Sequence, residues 1–160
     1  RLLDLLDGHE APVVGLAFSP TTPLLCSASW DGEVSVWDLY SSKTATDHLK
    51  HSSPVVAVAY RPNGLQIATA VLNGELSFWN VEFGSLEGSI DGRKDIQGGR
   101  DVGQARQAIG GEHNNSYFSA LAYAPNGDWL LASGSRGCYV CLYHVNARAL
   151  LARYEITQNR

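Results

Sequence analysis

An internal repeat constrains this chain more than any other feature. The segment His9-Glu-Ala-Pro-Val-Val-Gly-Leu-Ala-Phe-Ser-Pro20 aligns without a gap on His51-Ser-Ser-Pro-Val-Val-Ala-Val-Ala-Tyr-Arg-Pro62, a step of 42 residues (51 − 9). The same step carries Ala28 to Ala70, Gly32 to Gly74, Glu33 to Glu75, Ser35 to Ser77 and Trp37 to Trp79. A third copy follows a longer spacer. Ala122-Tyr-Ala-Pro-Asn-Gly127 matches Ala59-Tyr-Arg-Pro-Asn-Gly64, and Tyr143 takes the place of Trp79.

Within each copy the apolar period is two, which is the period of a strand. The first copy predicts strands over 13–18, 24–29, 34–37 and, weakly, 44–49. The second predicts 55–60, 66–71, 75–79 and 85–90, and the third 119–123, 129–133, 139–144 and 150–156. Pro20, Pro62-Asn63-Gly64 and Pro125-Asn126-Gly127 mark the first turn of each copy. Residues 2–6 read as a lone strand that closes a preceding unit. Sixteen Gly, four Trp and seven Tyr among short Val/Ala/Leu runs agree with an all-β protein.

Four short strands in about 40–45 residues is the unit of a propeller blade. At residue level the first copy resembles the WD40-repeat family, with Gly8-His9, Ser27-Ala28-Ser29-Trp30-Asp31 and Val36-Trp37-Asp38. The second copy is degenerate, with Val71, Asn73 and Trp79-Asn80, and the third is looser, with Gly137 and Tyr143-His144. The resemblance implies an all-β WD40 β-propeller fragment of about three four-stranded blades plus one strand of a preceding blade. Its parts are 1–7 (the last strand of that blade), a blade over 9–50, a blade over 51–90, an inserted loop over 91–117 and a blade over 118–156. A closed propeller takes roughly 4–8 blades. A chain that starts at Arg1, has no Met and shows no signal-peptide pattern therefore reads as a piece of a longer protein.

The WD40 resemblance also implies a role for the residues that look chemical. In that family a His before the first strand, a Ser on the second, an Asp in the next turn and a Trp on the third form a hydrogen-bonded tetrad. Here these are His9, Ser29, Asp31 and Trp37, with Ser27 as the alternative Ser. A buried indole N–H needs an acceptor and a buried carboxylate needs donors. His9, Ser29 and Asp31 are thereby used up as structure, and no nucleophile, base and orienter remain for catalysis. The second copy lacks the Ser and the Asp, so it is expected to be held mostly by packing.

Cys138-Tyr-Val-Cys141 has a C-x-x-C spacing, but on a strand residues three apart face opposite sides. Buried, inert thiols are expected there. With Cys26 the cysteines number three, which implies no disulfide framework and points to a reducing compartment. No metal site, cofactor or small-molecule substrate is expected. Asn114-Asn115-Ser116 fits a glycosylation sequon without a secretion signal, and Gly98-Gly99 and Gly110-Gly111 lack the lysine of a phosphate loop. No apolar run approaches the about 20 residues that cross a bilayer, so no membrane role is expected. The net charge of −4 argues against strong nucleic-acid binding by this piece itself.

Residues 91–115 stand outside the repeat. Arg93, Lys94, Arg100 and Arg106 alternate with Asp91, Asp95 and Asp101, so the charges nearly cancel. A long insertion is often functional, and Arg93, Lys94 and Arg100 are candidate partner-binding residues. Trp30 is a further candidate anchor whose face the alternation leaves open.

The segment Gly88-Ser-Ile-Asp-Gly-Arg-Lys-Asp-Ile-Gln-Gly-Gly-Arg100, with Leu76-Ser-Phe-Trp-Asn80, Cys141-Leu-Tyr-His-Val145 and Arg153-Tyr-Glu-Ile156, resembles a WD-repeat family of ribosome assembly. That resemblance implies a nucleolar scaffold of the small-subunit processome. Its partners would be other WD-repeat proteins, a small nucleolar ribonucleoprotein and pre-rRNA, the last two met directly or indirectly. A generic WD40 adaptor, such as a ubiquitin-ligase substrate receptor or a signalling scaffold, is the alternative. An enzyme is the weakest reading.

Overall fold

The structure, a computed structural model, describes residues 5–40, 45–96, 117–134 and 139–156. It contains three four-stranded antiparallel sheets that do not close into a ring. The first holds β1 (Val13–Phe18), β2 (Leu24–Ser29), β3 (Glu33–Asp38) and β4 (Asp47–Lys50). The second holds β5 (Val55–Tyr60), β6 (Gln66–Val71), β7 (Glu75–Asn80) and β8 (Ser85–Asp91). A short helix, α1 (Arg93–Ile96), follows. The third sheet holds β9 (Phe118–Tyr123), β10 (Trp129–Gly134), β11 (Tyr139–His144) and β12 (Ala149–Glu155). Each sheet is a simple meander in chain order. Among the described residues no helix is long and apolar enough to cross a membrane.

The repeat appears in the ladders. Trp37 pairs across from Leu25, Trp79 from Ile67 and Tyr143 from Leu130, so the three aromatic residues share one register position. In the first two sheets the turn before the third strand closes on a glycine with left-handed φ, Gly32 at 87° and Gly74 at 89°. Only glycine adopts that conformation without steric cost, which accounts for the Asp-Gly and Asn-Gly pairs there.

Strand alternation gives each sheet two faces. Cys26, Ala28, Val34 and Val36 of the first sheet bury against Tyr60, Ile67 and Val71 of the second. Ala68, Ala70, Leu76 and Phe78 of the second bury against Leu130, Ala132, Cys141 and Tyr143 of the third. The first strands β1, β5 and β9 lie side by side along the inner edge. At the ends of the stack, Phe18 on β1 is 69% exposed and Trp129 on β10 is 44% exposed. These are the faces that a further sheet on either side would cover.

Two strand expectations change. The weak strand over 44–49 is observed as Asp47–Lys50, where Lys50 pairs with Glu33 in the ladder and approaches its carboxylate at 3.3 Å. Of the lone strand expected over 2–6, only Leu5 and Leu6 are described, and they are not in a strand.

Candidate functional site

In the first sheet a hydrogen-bonded chain runs from the core to the surface turn. The Trp37 indole N–H donates to Ser27 Oγ at 2.8 Å. Ser27 Oγ lies 2.7 Å from His9 Nε2, and His9 Nδ1 lies 2.8 Å from Asp31 Oδ2. An indole can only donate and a carboxylate can only accept. The directions follow: Ser27 Oγ–H donates to His9 Nε2, and His9 Nδ1–H donates to Asp31. Asp31 also accepts the backbone N–H groups of Glu33 (2.8 Å) and Glu10 (3.1 Å). Burial alone would raise its carboxyl, but the Glu33 N–H, His9 and the Glu10 N–H outweigh burial and hold it below 3.8.

The serine in this chain is Ser27, the alternative of the expected tetrad, and not Ser29. Ser29 Oγ donates to the Ala11 carbonyl at 3.0 Å and accepts the Asp31 N–H at 3.2 Å. It therefore fixes the turn and the incoming segment. Trp37 sits opposite Leu25, two residues from Ser27 and four from Ser29. At roughly 3.3 Å per residue, Ser29 lies beyond the indole's reach. The 42-residue step carried the signal, because it takes Ser27 to Thr69, a second hydroxyl, whereas it takes Ser29 to Val71. Ser27 is buried and engaged on both sides, so the His9, Ser27 and Asp31 grouping presents no nucleophile to a substrate.

Packing does not hold the second sheet alone. His51 Nδ1 lies 3.0 Å from the Leu49 carbonyl, so Nδ1 carries the proton. The bare Nε2 then accepts from Trp79 Nε1 at 3.0 Å and lies 2.8 Å from Thr69 Oγ1, which is also 3.4 Å from the Ser77 carbonyl. Asn73, in the place of Asp31, instead caps the Glu75 N–H at 2.9 Å. Burial lowers the His51 pKa below 6.5. Protonation would put a hydrogen on Nε2 and turn it against the Trp79 N–H. Because the folded-state pKa is the lower one, this contribution is complete above about pH 6.5, the ordinary histidine value. It is lost as the pH falls from there. Urea midpoints should therefore drop between pH 7.5 and 5.5, and the drop should shrink in His51→Gln. A pH slope identical in the two proteins would contradict this.

The third sheet uses other groups. Ala132 stands in the hydroxyl position, and the Tyr143 hydroxyl donates to Asp95 Oδ2 of α1 at 2.8 Å. Burial, then that hydrogen bond, push the Tyr143 pKa well above 10. Cys26 and Cys141 are buried and free, and burial raises their thiols to about 12 and about 11. They are unreactive in that state. Cys138 lies outside the described residues. Among the described residues no group of His, Cys, Asp or Glu is arranged to hold a metal.

Of the candidate partner residues, Arg93 is tied to Asp91 through its Nε (2.8 Å) and Nη2 (2.5 Å). Lys94 is exposed on α1, and Arg100 and Arg106 lie outside the described residues. Trp30, left open by the sequence, is 54% exposed. It lines a mainly apolar cleft of about 580 Å³ with Val14, Val56, Leu72, Tyr117 and Ser119. Leu72 is Trp30 moved one repeat on, and Val56 is Val14 moved one repeat on. All three sheets therefore line this cleft, along the inner edge where β1, β5 and β9 begin.

Comparison with known proteins agrees with this arrangement. The chain is 41% identical to periodic tryptophan protein 2 of Arabidopsis thaliana over 99% of its length. It is 40% identical to the mouse homolog and 35% identical to the Saccharomyces cerevisiae protein, each over 99% of this chain. It spans 17% of the length of each of these relatives. The WD domain, G-beta repeat pattern matches residues 1–38, 42–80 and 107–144. With three stacked four-stranded sheets and a Trp or Tyr at the same register position in each, the chain belongs to the WD40 (WD domain, G-beta repeat) family.

Proposed function

We propose that this chain is part of a non-catalytic WD-repeat scaffold of ribosome biogenesis. It would act in the nucleolus, within the small-subunit processome, to support pre-rRNA processing. Its partners would be other WD-repeat proteins of that assembly, with a small nucleolar ribonucleoprotein and pre-rRNA engaged directly or through them. The observation that carries this reading is the extent of the likeness. It runs on through residues 81–106, between the second and third repeat matches, to cover 99% of the chain. A generic WD40 adaptor would share the blades and not that segment. The polar chains beneath Trp37 and Trp79 serve rigidity, and a rigid stack presents its exposed cleft at little ordering cost.

Two measurements test this. Gentle purification of the tagged full-length protein, followed by sequencing of associated RNA, should enrich the small-subunit rRNA precursor. Recovery of a ubiquitin-ligase core without that RNA would favour the adaptor. Trp30→Ala should change stability by about 1 kcal/mol or less, as at exposed positions. It should weaken one co-purifying protein by about 2 kcal/mol or more, as for an aromatic anchor. Unchanged recovery of every partner would remove Trp30 from the binding surface.

A further inference from the structure

The connection between β8 and β9, residues 92–117, is far longer than residues 51–54, which join β4 to β5. Both of its ends meet at one side chain, Tyr143 on β11. From the leading end, Asp95 accepts the Tyr143 hydroxyl at 2.8 Å. Ile96 beside it is buried in the core between the second and third sheets. From the trailing end, Phe118, fully buried, stands edge-on to the Tyr143 ring with centroids 6.0 Å apart and planes at 88°.

The two ends also touch each other. Gly92 lies so close to Phe118 that a Cβ on it would fall 2.3 Å from the ring's Cε2. Its N–H is held by the Gly74 carbonyl at 3.1 Å, and its own carbonyl accepts the Ile96 N–H at 3.1 Å. A side chain larger than hydrogen has no room at Gly92.

We infer that Tyr143, Asp95 and Phe118 form a clamp that closes the neck of this connection on the third sheet. Among the described residues, the clamp takes the place that the His-hydroxyl-Trp chain has in the other two sheets. In those, a histidine from the incoming segment reaches a hydroxyl on the second strand. Here Ala132 offers no hydroxyl, Tyr143 replaces the indole, and Asp95 from α1 is the acceptor. Asp95 is a positioning residue: it fixes where the connection leaves the blade, independently of any partner. Bringing the ends of a long segment together costs chain entropy. The clamp meets that cost on folding, before any partner is engaged.

The test is hydrogen exchange in the full-length protein. Tyr143→Phe keeps the ring against Phe118 and removes only the hydroxyl. Exchange at the Gly92 and Ile96 amides, held by the Gly74 and Gly92 carbonyls, should quicken at least tenfold in this variant. Amides of β2 and β3 should keep their wild-type rates. Asp95→Asn retains an acceptor oxygen and should stay within about threefold of wild type at the same amides, whereas Asp95→Ala should match Tyr143→Phe. Unchanged exchange at the Gly92 and Ile96 amides in Tyr143→Phe overturns the clamp. So does an acceleration spread evenly over all three sheets, which would make the hydroxyl a general support of the fold.

Discussion

Alanine at position 37 is expected to cost about 3–5 kcal/mol, as for other buried aromatic truncations, and to unfold the first blade under conditions where the wild type is folded. Trp37 is 2% exposed, and the chain entering the blade is moulded to it. A Cβ on Gly8 would lie 3.1 Å from the indole Cη2, and the His9 ring meets the indole edge-on at 6.4 Å. Truncation therefore opens a cavity and frees the segment that brings His9 to Ser27. A paired substitution separates polar from apolar contributions. Ser27→Ala leaves both the Trp37 N–H and His9 Nε2 without a partner inside the protein, at about 1–3 kcal/mol for each buried group left unpaired. Ser29→Ala leaves the Trp37 to Asp31 chain intact and should cost less. Urea unfolding of the three variants gives the order directly. A Ser29→Ala protein less stable than Ser27→Ala would return Ser29 to the network.

The strands were legible because two independent patterns agree along most of the chain. Over 55–60 and 66–71 the alternation and the flanking Pro62-Asn63-Gly64 turn point to the same ends, and β5 and β6 have those ends. Where only one pattern spoke, the reading drifted. β4 buries one large side chain, Leu49, so its alternation is faint and the ladder with β3 sets its limits. In the network the sequence leaves Ser27 as the alternative to Ser29, which stands close to Asp31 in the chain, while the network is built across the sheet. Ser27 and Ser29 share a parity, so alternation could not separate them. The hydroxyl repeated at Thr69 could. Asp95 was not legible as a structural acceptor, since its partner Tyr143 is distant in sequence and the charges around it read as solvated loop. Trp30 was ambiguous for a related reason: it sits in a turn, where strand parity no longer fixes a face.

The second large effect is expected at Phe78, and it follows from how differently the two sheet interfaces are filled. One repeat step takes Val36 to Phe78, so the same position carries a small side chain in one interface and a large one in the next. Between the first and second sheets, Tyr60 and Ile67 of the facing sheet supply the volume against Val36. Between the second and third, Ala68, Ala70 and Ala132 leave room, and Phe78, 1% exposed, occupies it. Phe78→Ala should therefore cost about 3–5 kcal/mol. Val36→Ala removes two methyl groups and should cost about 1–2 kcal/mol at roughly 0.8 kcal/mol for each buried carbon. In a stack of repeats each sheet draws stability from its neighbours, so the loss should be local. In Phe78→Ala, amides of β10 and β11 should lose protection at lower urea than those of β2 and β3, splitting a transition that the wild type makes more nearly as one. If all three sheets instead shift together by the same amount, the sheets fold as a single unit. The repeat would then describe their geometry and not the way stability is shared among them.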